Sequence, residues 1–155
     1  MNEQSTESIV AKSVTIERPI EDAFRIWTEE INRWWPRSHS LSKDPQTQVI
    51  IECSVGGRFY ERTSEGIEHD WGKVFIWEPP THFAYLWYLG SGLQLPTRVD
   101  VNFVAVSENR TRVDILHRGP ELIGELWSTN KGRYSISWDS VLPEFVQLCQ
   151  SSSAA

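Results

Sequence analysis

The sequence lacks two features that would tie it to a nucleic acid or a membrane: clustered basic residues and a long apolar run. Its 15 Lys and Arg residues are outnumbered by 21 Asp and Glu residues, which gives a net charge of −6. Nucleic-acid binding depends on clustered Lys and Arg that displace counterions, and an acidic surface is repelled by anionic membrane faces. No apolar run approaches the roughly 18 residues that span a bilayer. We therefore expect neither a nucleic-acid partner nor a membrane partner.

Cysteine is also scarce. Cys53 and Cys149 are far apart in the chain and match no metal-binding or redox spacing. Both fall at apolar positions of predicted elements, which favours buried, reduced thiols. The N-terminal stretch MNEQSTES has neither the basic nor the apolar region of a secretory signal. Together these features predict a cytoplasmic protein.

Common catalytic and metal-binding motifs are missing as well. The sequence contains no GxSxG motif, phosphate-binding loop or dinucleotide fingerprint, so we predict no catalytic residues and no cofactor. His39, Glu68 and His69 could meet at one rim only if the loop after Pro36 folds over a strand. Adjacent strand residues such as Glu68 and His69 point to opposite faces, and no HxH, HxxxH or HExxH spacing occurs. We therefore favour a protein without a metal, and the role of these three residues stays open.

Aromatic residues, by contrast, are abundant. Eight tryptophans occur in 155 residues, more than a small core usually needs. Tryptophan suits both cores and ligand cages, because it joins a large apolar surface to one N–H group. The length is typical of one domain. We predict a single domain over residues 9–149, with flexible tails at 1–8 and 150–155.

The first third of the chain predicts a strand followed by two helices. Apolar and polar residues alternate over 13–17, which indicates a strand. A helix follows Pro19, and a second, short helix ends at Pro36. The apolar positions that carry these patterns are Val14 and Ile16 in the strand and Ile20, Phe24, Trp27 and Ile31 in the first helix.

The rest of the chain predicts strands and a final helix. Residues 37–46 form a polar loop that is long enough to act as a rim or lid. Short alternating runs divided by Gly and Pro then predict six strands. These cover 49–53, 58–62, 69–77, 83–89, 99–103 and 111–117, with a loop at 90–96. Trp138, Leu142, Phe145 and Cys149 recur at helical spacing and predict a helix of about 15 to 20 residues that contains Pro143.

This element order favours an α+β fold. Short strands joined by hairpins form a curved antiparallel sheet of about six to seven strands, and the long C-terminal helix covers one of its faces. The space between a curved sheet and a single helix would be a cavity, lined by the inward aromatic residues.

Six segments occur in an order that resembles a known superfamily. They are RPIEDAFRIWT at 18–28, RWWP at 33–36, VGGRF at 55–59, EHDWGKVFIWEPP at 68–80, TRVDILHRG at 111–119 and GRY…WDSVLP at 132–143. Their order and spacing resemble the START-like (SRPBCC) superfamily, in particular the branch named after homologues of the activator of the heat-shock-protein-90 ATPase. The chain departs from the pattern at Pro120, where the family often has tryptophan.

The resemblance implies a helix-grip fold, in which the sheet wraps around the C-terminal helix. In the broader superfamily it implies cavities for lipids, polyketides, sterols or aromatic hormones. Several branches only bind, some cyclise polyketides, and the eukaryotic namesake assists a chaperone ATPase. Fold alone does not select among these activities.

The predicted cavity wall consists of inward-facing aromatic residues and one histidine. We expect it to contain Trp35, Phe59, Trp71, Phe83, Tyr85, Trp87, Phe103, His117, Tyr134 and Trp138. Trp34 or Trp35 would pack beneath the first helix while the other faces the cavity mouth. His117 shares its face with Val113 and Ile115. It is either a neutral, hydrogen-bonded histidine, a group that orients a ligand carbonyl or carboxylate, or a general base.

Three functions remain open. The favoured one is a non-catalytic carrier or sensor of a small hydrophobic or aromatic ligand. A co-chaperone-like module is the second, because Val74–Trp77 fails to alternate and could form an exposed apolar strip for a chaperone or for a homodimer. A strand bulge or an overlying loop would explain the same residues. The third is a polyketide-cyclase-like or hydrolase-like enzyme, which needs only a shaped cavity and one or two acid–base groups.

Overall fold

The computed structural model describes residues 9–87, 97–118 and 125–151. The strands are β1 (Ile9–Ile16), β2 (Gln48–Ile51), β3 (Arg58–Arg62), β4 (Glu68–Glu78), β5 (His82–Trp87), β6 (Thr97–Ser107) and β7 (Arg110–Arg118). The helices are α1 (Ile20–Thr28), α2 (Ile31–Trp34) and α3 (Glu125–Ser151), with a 3₁₀ turn at Arg37–His39. The predicted tail at 1–8, the predicted loop at 90–96, Pro120 and residues 152–155 lie outside the described residues.

The strands form one curled antiparallel sheet in the order β1-β7-β6-β5-β4-β3-β2. Every sequential pair from β2 to β7 is a neighbouring pair, as short hairpins dictate, and β1 joins the free edge of β7. The sheet curls around α3, which confirms the predicted α+β, helix-grip architecture. None of the helices in the described ranges combines the length and the hydropathy of a membrane span.

The helix α1 packs on the same concave face as α3. Its first turn carries Glu21 and Asp22, where the helix dipole favours negative charge. Its buried face includes Phe24 and Trp27, as the spacing predicted. The Trp27 ring lies 4.9 Å from the ring of Phe145 in α3. This contact between α1 and α3 fills part of the concave face.

The helix α3 is longer than predicted, at 27 residues. The weak helix formers Gly132 and 135–137 lie inside it, because their cost of less than about 1 kcal/mol each is outweighed by packing of the apolar face. The helix also continues past the predicted domain end at 149. The apolar stripe itself is as predicted, with Trp138, Leu142, Phe145 and Cys149 all buried.

One of the two cysteine predictions is wrong. Cys149 is buried, and burial raises the pKa of its thiol to about 12. Cys53 is exposed. The strand β2 ends at Ile51, because the chain leaves the sheet for a tight turn in which a Cβ on Gly57 would overlap the carbonyl oxygen of Glu52. Beyond the strand, alternation no longer decides which side chains are buried.

The non-alternating stretch Val74–Trp77 is a bulge. The register between β4 and β5 shifts by one residue at Phe75. Trp77 packs edge-on against Phe24 at 5.2 Å, and the guanidinium of Arg98 lies 4.9 Å from the centre of the Phe75 ring. The bulge explains the broken alternation; Val74 is buried, and Phe75, Ile76 and Trp77 are half-buried.

Candidate functional site

A cavity of about 430 Å³ lies between the end of β5, β7, α3 and the loop after α2. Its buried lining residues are Trp35, Ser40, Trp87, His117, Tyr134, Trp138 and Val141. Its more exposed lining residues are Ser38, His39, Leu41, Lys43, Arg133 and Ser137. The inner wall is therefore mostly aromatic, and the mouth is mostly polar and basic.

Half of the predicted wall residues line this cavity. They are Trp35, Trp87, His117, Tyr134 and Trp138. The other five, Phe59, Trp71, Phe83, Tyr85 and Phe103, are at most 2% exposed and pack into the core. Phe59, for example, stands edge-on to Tyr85 at 5.1 Å. Aromatic neighbours fill that part of the concave face, so the open space is confined to the end near Trp87 and His117. Ligand contact by any of the ten remains a prediction.

The tryptophan pair after α1 divides between the core and the cavity. Trp34 lies 4.8 Å from Trp27 of α1 and donates its Nε1–H to the carbonyl oxygen of Ile26 at 3.1 Å. Trp35 lines the cavity and donates its Nε1–H to the carbonyl oxygen of His39 at 3.1 Å. The indole of Trp35 thereby ties the cavity wall to the loop at its mouth.

Several residues of the mouth were not predicted from the sequence. On α3, Arg133, Ser137 and Val141 recur every four residues beside Tyr134 and Trp138, so helical spacing could have placed them on the lining face. The residues of the rim loop, which we define as residues 37–47, carried no such signal. The path of a polar loop depends on the residues that it contacts, and here those residues lie on a strand later in the chain.

His117 is held by donors and acceptors on both ring nitrogens. The Trp138 Nε1–H donates to His117 Nδ1 at 3.0 Å, and His117 Nε2 lies 2.7 Å from Thr97 Oγ1. An indole N–H can only donate, so Nδ1 must accept and the ring proton must sit on Nε2, where it donates to Thr97. Thr97 in turn donates to the carbonyl oxygen of Trp87 at 3.4 Å.

The surroundings of His117 also keep it neutral. The residue is 1% exposed, and burial lowers the pKa of its imidazole to about 3. The ring of Tyr134 lies 4.4 Å away. Of the three roles that the sequence left open, a neutral, hydrogen-bonded histidine agrees with this geometry. A general base would need a free nitrogen and a higher pKa.

The anchor of the rim loop is the buried carboxylate of Glu61 on β3. Glu61 is 0% exposed and accepts hydrogen bonds from the Leu41 N–H at 2.7 Å and the Ser42 hydroxyl at 2.5 Å. It also accepts from the Thr47 hydroxyl at 2.9 Å and the Trp71 Nε1–H at 2.8 Å. Burial alone would raise the pKa of this carboxyl, but these hydrogen bonds outweigh it and the pKa is lowered. The rim loop is thus fixed to the sheet.

Glu61 was not predicted, although its strand carried a signal. Phe59 and Glu61 are two residues apart on β3 and both are buried, so a charged side chain occupies the inward face of a strand. A buried carboxylate needs hydrogen-bond donors. A polar loop that packs nearby can provide several of them at once.

The rim loop holds Lys43 in an unusual backbone conformation. Lys43 has φ 59°, a left-handed conformation that costs a non-glycine residue on the order of 1 kcal/mol. Its N–H donates to Ser40 Oγ at 2.9 Å. Burial, and then the charge of Lys43, lower the pKa of His39 on the same loop. The mouth therefore presents an ammonium group near a neutral imidazole.

The residues that the sequence offered as metal ligands make other contacts in the structure. Glu68 accepts from Arg58 Nη2 and from Arg62 Nε, both at 3.0 Å, whereas His39 lines the cavity mouth. Across the described residues, no group of three or more His, Cys, Asp or Glu side chains could hold a metal ion.

A second concavity, of about 410 Å³, lies between β1 and α3. Lys12 and Asp139 form an ion pair within its lining, with Nζ and Oδ1 2.9 Å apart. Trp138 lies between this groove and the cavity. Because the charged groups of this groove pair with one another, the aromatic cavity is the candidate functional site.

Comparison with known proteins identifies relatives over most of the chain. A family model described as "Activator of Hsp90 ATPase homolog 1-like protein" matches residues 17–149. Comparison with curated proteins finds no significant match.

Three solved structures illustrate the similarity. An anthrahydroquino-gamma-pyrone synthase, Txn09, complexed with SUM is 32% identical, with a TM-score of 0.54 over 71% of this chain and 75% of that one. CalC, a self-sacrificing resistance protein from Micromonospora echinospora, is 24% identical, with a TM-score of 0.67 over 93% of this chain and 95% of that one. An HSP90 activator from Plasmodium falciparum is 19% identical, with a TM-score of 0.54 over 72% and 73%.

Proposed function

The chain belongs to the activator of Hsp90 ATPase homolog 1-like family, and on that premise we propose that it binds a small aromatic molecule in the cavity between the sheet and α3. One observation carries the proposal: Trp35, Trp87, Tyr134 and Trp138 converge with the buried His117 on one open space of about 430 Å³. Small-molecule sites typically measure about 300–1,000 Å³ and combine apolar walls with a few polar groups.

The walls of the cavity are fixed before any ligand arrives. The Trp138–His117–Thr97 hydrogen bonds join α3, β7 and β6, and Glu61 secures the rim loop. A site whose side chains are already ordered loses little conformational entropy when it binds. Flat aromatic rings can stack on the indoles, so a planar ligand suits these walls better than a flexible one.

Binding can be tested by calorimetry with fatty acids, flavonoids and aromatic polyketides. We expect saturable binding of planar aromatic compounds, lost in Ser137→Trp, because Ser137 lines the cavity and an indole there would occupy it. Ile136→Trp is the matched control, since Ile136 is 68% exposed, lies one residue away and does not line the cavity. Binding that survives Ser137→Trp would place the ligand elsewhere, and no binding by any class would refute the proposal.

An enzyme acting on an aromatic polyketide is a second candidate, favoured by the 32% identity to the synthase Txn09. His117 is a poor general base here, since both its nitrogens are engaged and its pKa is lowered to about 3. Cyclisation in this cavity would rely on its shape and on His39 or Tyr134 for proton transfer.

The two candidates are separated by incubation with an anthrahydroquinone polyketide. Formation of a γ-pyrone, followed by mass spectrometry and reduced in His39→Gln without loss of binding, would favour the enzyme. If the substrate binds to the wild-type protein and is recovered unchanged, the result would favour the carrier function over the enzyme.

A chaperone partner is the remaining alternative and rests on the family alone. The bulge at Phe75 accounts for the broken alternation from which the sequence predicted a docking strip. Direct titration of a purified Hsp90 with this protein, followed by ATPase rate, would test it. An unchanged rate and no binding would exclude this role.

A further inference from the structure

Among the residues that the structure describes, the charged side chains that line the cavity have one sign. Of the lining side chains, Lys43 and Arg133 carry charge at neutral pH and both are cations, whereas burial keeps His39 and His117 neutral. No Asp or Glu occurs among the described residues that line the cavity. The chain as a whole has 21 acidic and 15 basic residues, so its surface charge would predict the opposite.

The basic groups are placed at the mouth, whereas the aromatic groups are placed inside. Lys43 and Arg133 are exposed and lie on separate elements, the rim loop and α3. Within residues 9–87, 97–118 and 125–151, no carboxylate forms an ion pair with Lys43. Glu61, which lies beneath the same loop, directs its oxygens to four residues of the protein and does not line the cavity.

We propose that the ligand is an aromatic acid, whose ring system enters the aromatic end of the cavity while its carboxylate lies at the mouth against Lys43 and Arg133. The inference rests on the proposed binding function and adds the chemistry of the ligand. Opposite charges at a partly exposed mouth contribute modest affinity but fix orientation and select against neutral analogues. The backbone conformation and the N–H hydrogen bond of Lys43 hold its Cα at the mouth, from which the side chain can reach a bound carboxylate.

Matched pairs of ligands test this selection. Naphthalene carboxylic acid and anthracene carboxylic acid are each compared with the corresponding neutral methanol derivative by calorimetry at neutral pH and low ionic strength. We expect each acid to bind about three- to tenfold more tightly than its alcohol, with the ratio falling towards one at high salt, because exposed ion pairs are weak and screened.

Variants assign the selection to the two cations. In the double variant Lys43→Asn and Arg133→Gln, we expect the acids to weaken to the level of the alcohols, while the alcohols bind as in the wild type. Asn tolerates the left-handed backbone at position 43 better than Lys, so this change should not unfold the loop. Lys73→Gln, an exposed lysine that does not line the cavity, is the matched control and should keep the preference.

The outcomes separate this inference from the function on which it rests. Acids and alcohols that bind equally well to the wild type would overturn the acid preference and leave the aromatic binding function intact. A preference that persists in the double variant would overturn the assignment to Lys43 and Arg133. No binding by either member of any pair would count against both.

Discussion

His117 shows how a histidine can line a cavity and still remain neutral and fully hydrogen-bonded. Strand alternation predicts that it faces inward, and the structure adds partners for both ring nitrogens. The donor-only indole of Trp138 determines the tautomer, so protonation of Nδ1 would break that hydrogen bond. The imidazole therefore orders the cavity wall and resists ionisation.

Acid should destabilise the fold through His117. Its folded pKa of about 3 lies below the unfolded value of 6.5, so between these values the unfolded chain binds the extra proton. Stability contributed by this group is thus complete above about pH 6.5 and falls by up to about 1.4 kcal/mol per pH unit below it. Denaturant unfolding at stepwise lower pH should show a shallower loss for His117→Gln than for the wild type. Parallel pH profiles would contradict this account.

Glu61 is the second residue whose environment decides its role. Glu61→Gln would turn an amide NH₂ towards groups that donate, and we expect it to lower the free energy of unfolding by about 1–3 kcal/mol. Because the pKa of Glu61 is lowered in the fold, its contribution is present above the ordinary carboxyl pKa and is lost as pH falls through the lowered value. Denaturant titration at neutral pH, with the exposed Glu65→Gln as control, measures the effect. Equal midpoints for the two variants would show that the anchor contributes little.

At the scale of elements, the close approach of β4 and β5 limits which residues fit at their point of contact. Gly72 on β4 pairs with Phe59 on one side and Trp87 on the other, and a Cβ there would overlap the carbonyl oxygen of Leu86. Gly132 on α3 has open space around the same position. A side chain at Gly72 is therefore excluded by backbone packing, whereas Gly132 is free to carry one and costs the helix only conformational entropy.

The same substitution should have opposite effects at these two sites. Gly72→Ala forces the backbones of β4 and β5 apart, and we expect a loss of at least about 2 kcal/mol. Gly132→Ala adds helix propensity at an exposed position and should stabilise by about 0.5–1 kcal/mol. Thermal and denaturant unfolding of both variants checks the sign. A destabilised Gly132→Ala protein would mean that α3 is not an ordinary helix at that position.

At the scale of the whole molecule, the cavity unites parts of the chain that are far apart in sequence. The rim loop, the end of β5, β7 and α3 each supply a wall, so an occupied cavity links elements that unfolding would separate. Ligand binding should therefore stabilise the fold as a unit and not one region alone.

A bound aromatic acid at about 100 times its dissociation constant should raise the free energy of unfolding by about 2.7 kcal/mol. The denaturant midpoint should shift while the slope of the transition stays unchanged, because the same surface is exposed on unfolding. Ser137→Trp should show no shift, whereas Ile136→Trp should match the wild type. A shift of equal size in both variants would point to binding outside the cavity.

Local patterns in the sequence determined the strands, the helices and the inward face of each. Alternation, helical spacing and turn residues act over a few neighbours, and so the seven strands, α1 and the buried stripe of α3 could be predicted. The family resemblance supplied the helix-grip arrangement in addition.

Only the tertiary structure decided which inward residues are core and which are wall. Phe59 and Trp87 both face inward, but the first is covered by aromatic neighbours while the second borders an open space. The anchoring of the rim loop on Glu61, the tautomer of His117 and the basic mouth arose in the same way. Each depends on contacts between segments that are distant in sequence. Local sequence patterns do not show which residues will pack against a given side chain in the folded protein.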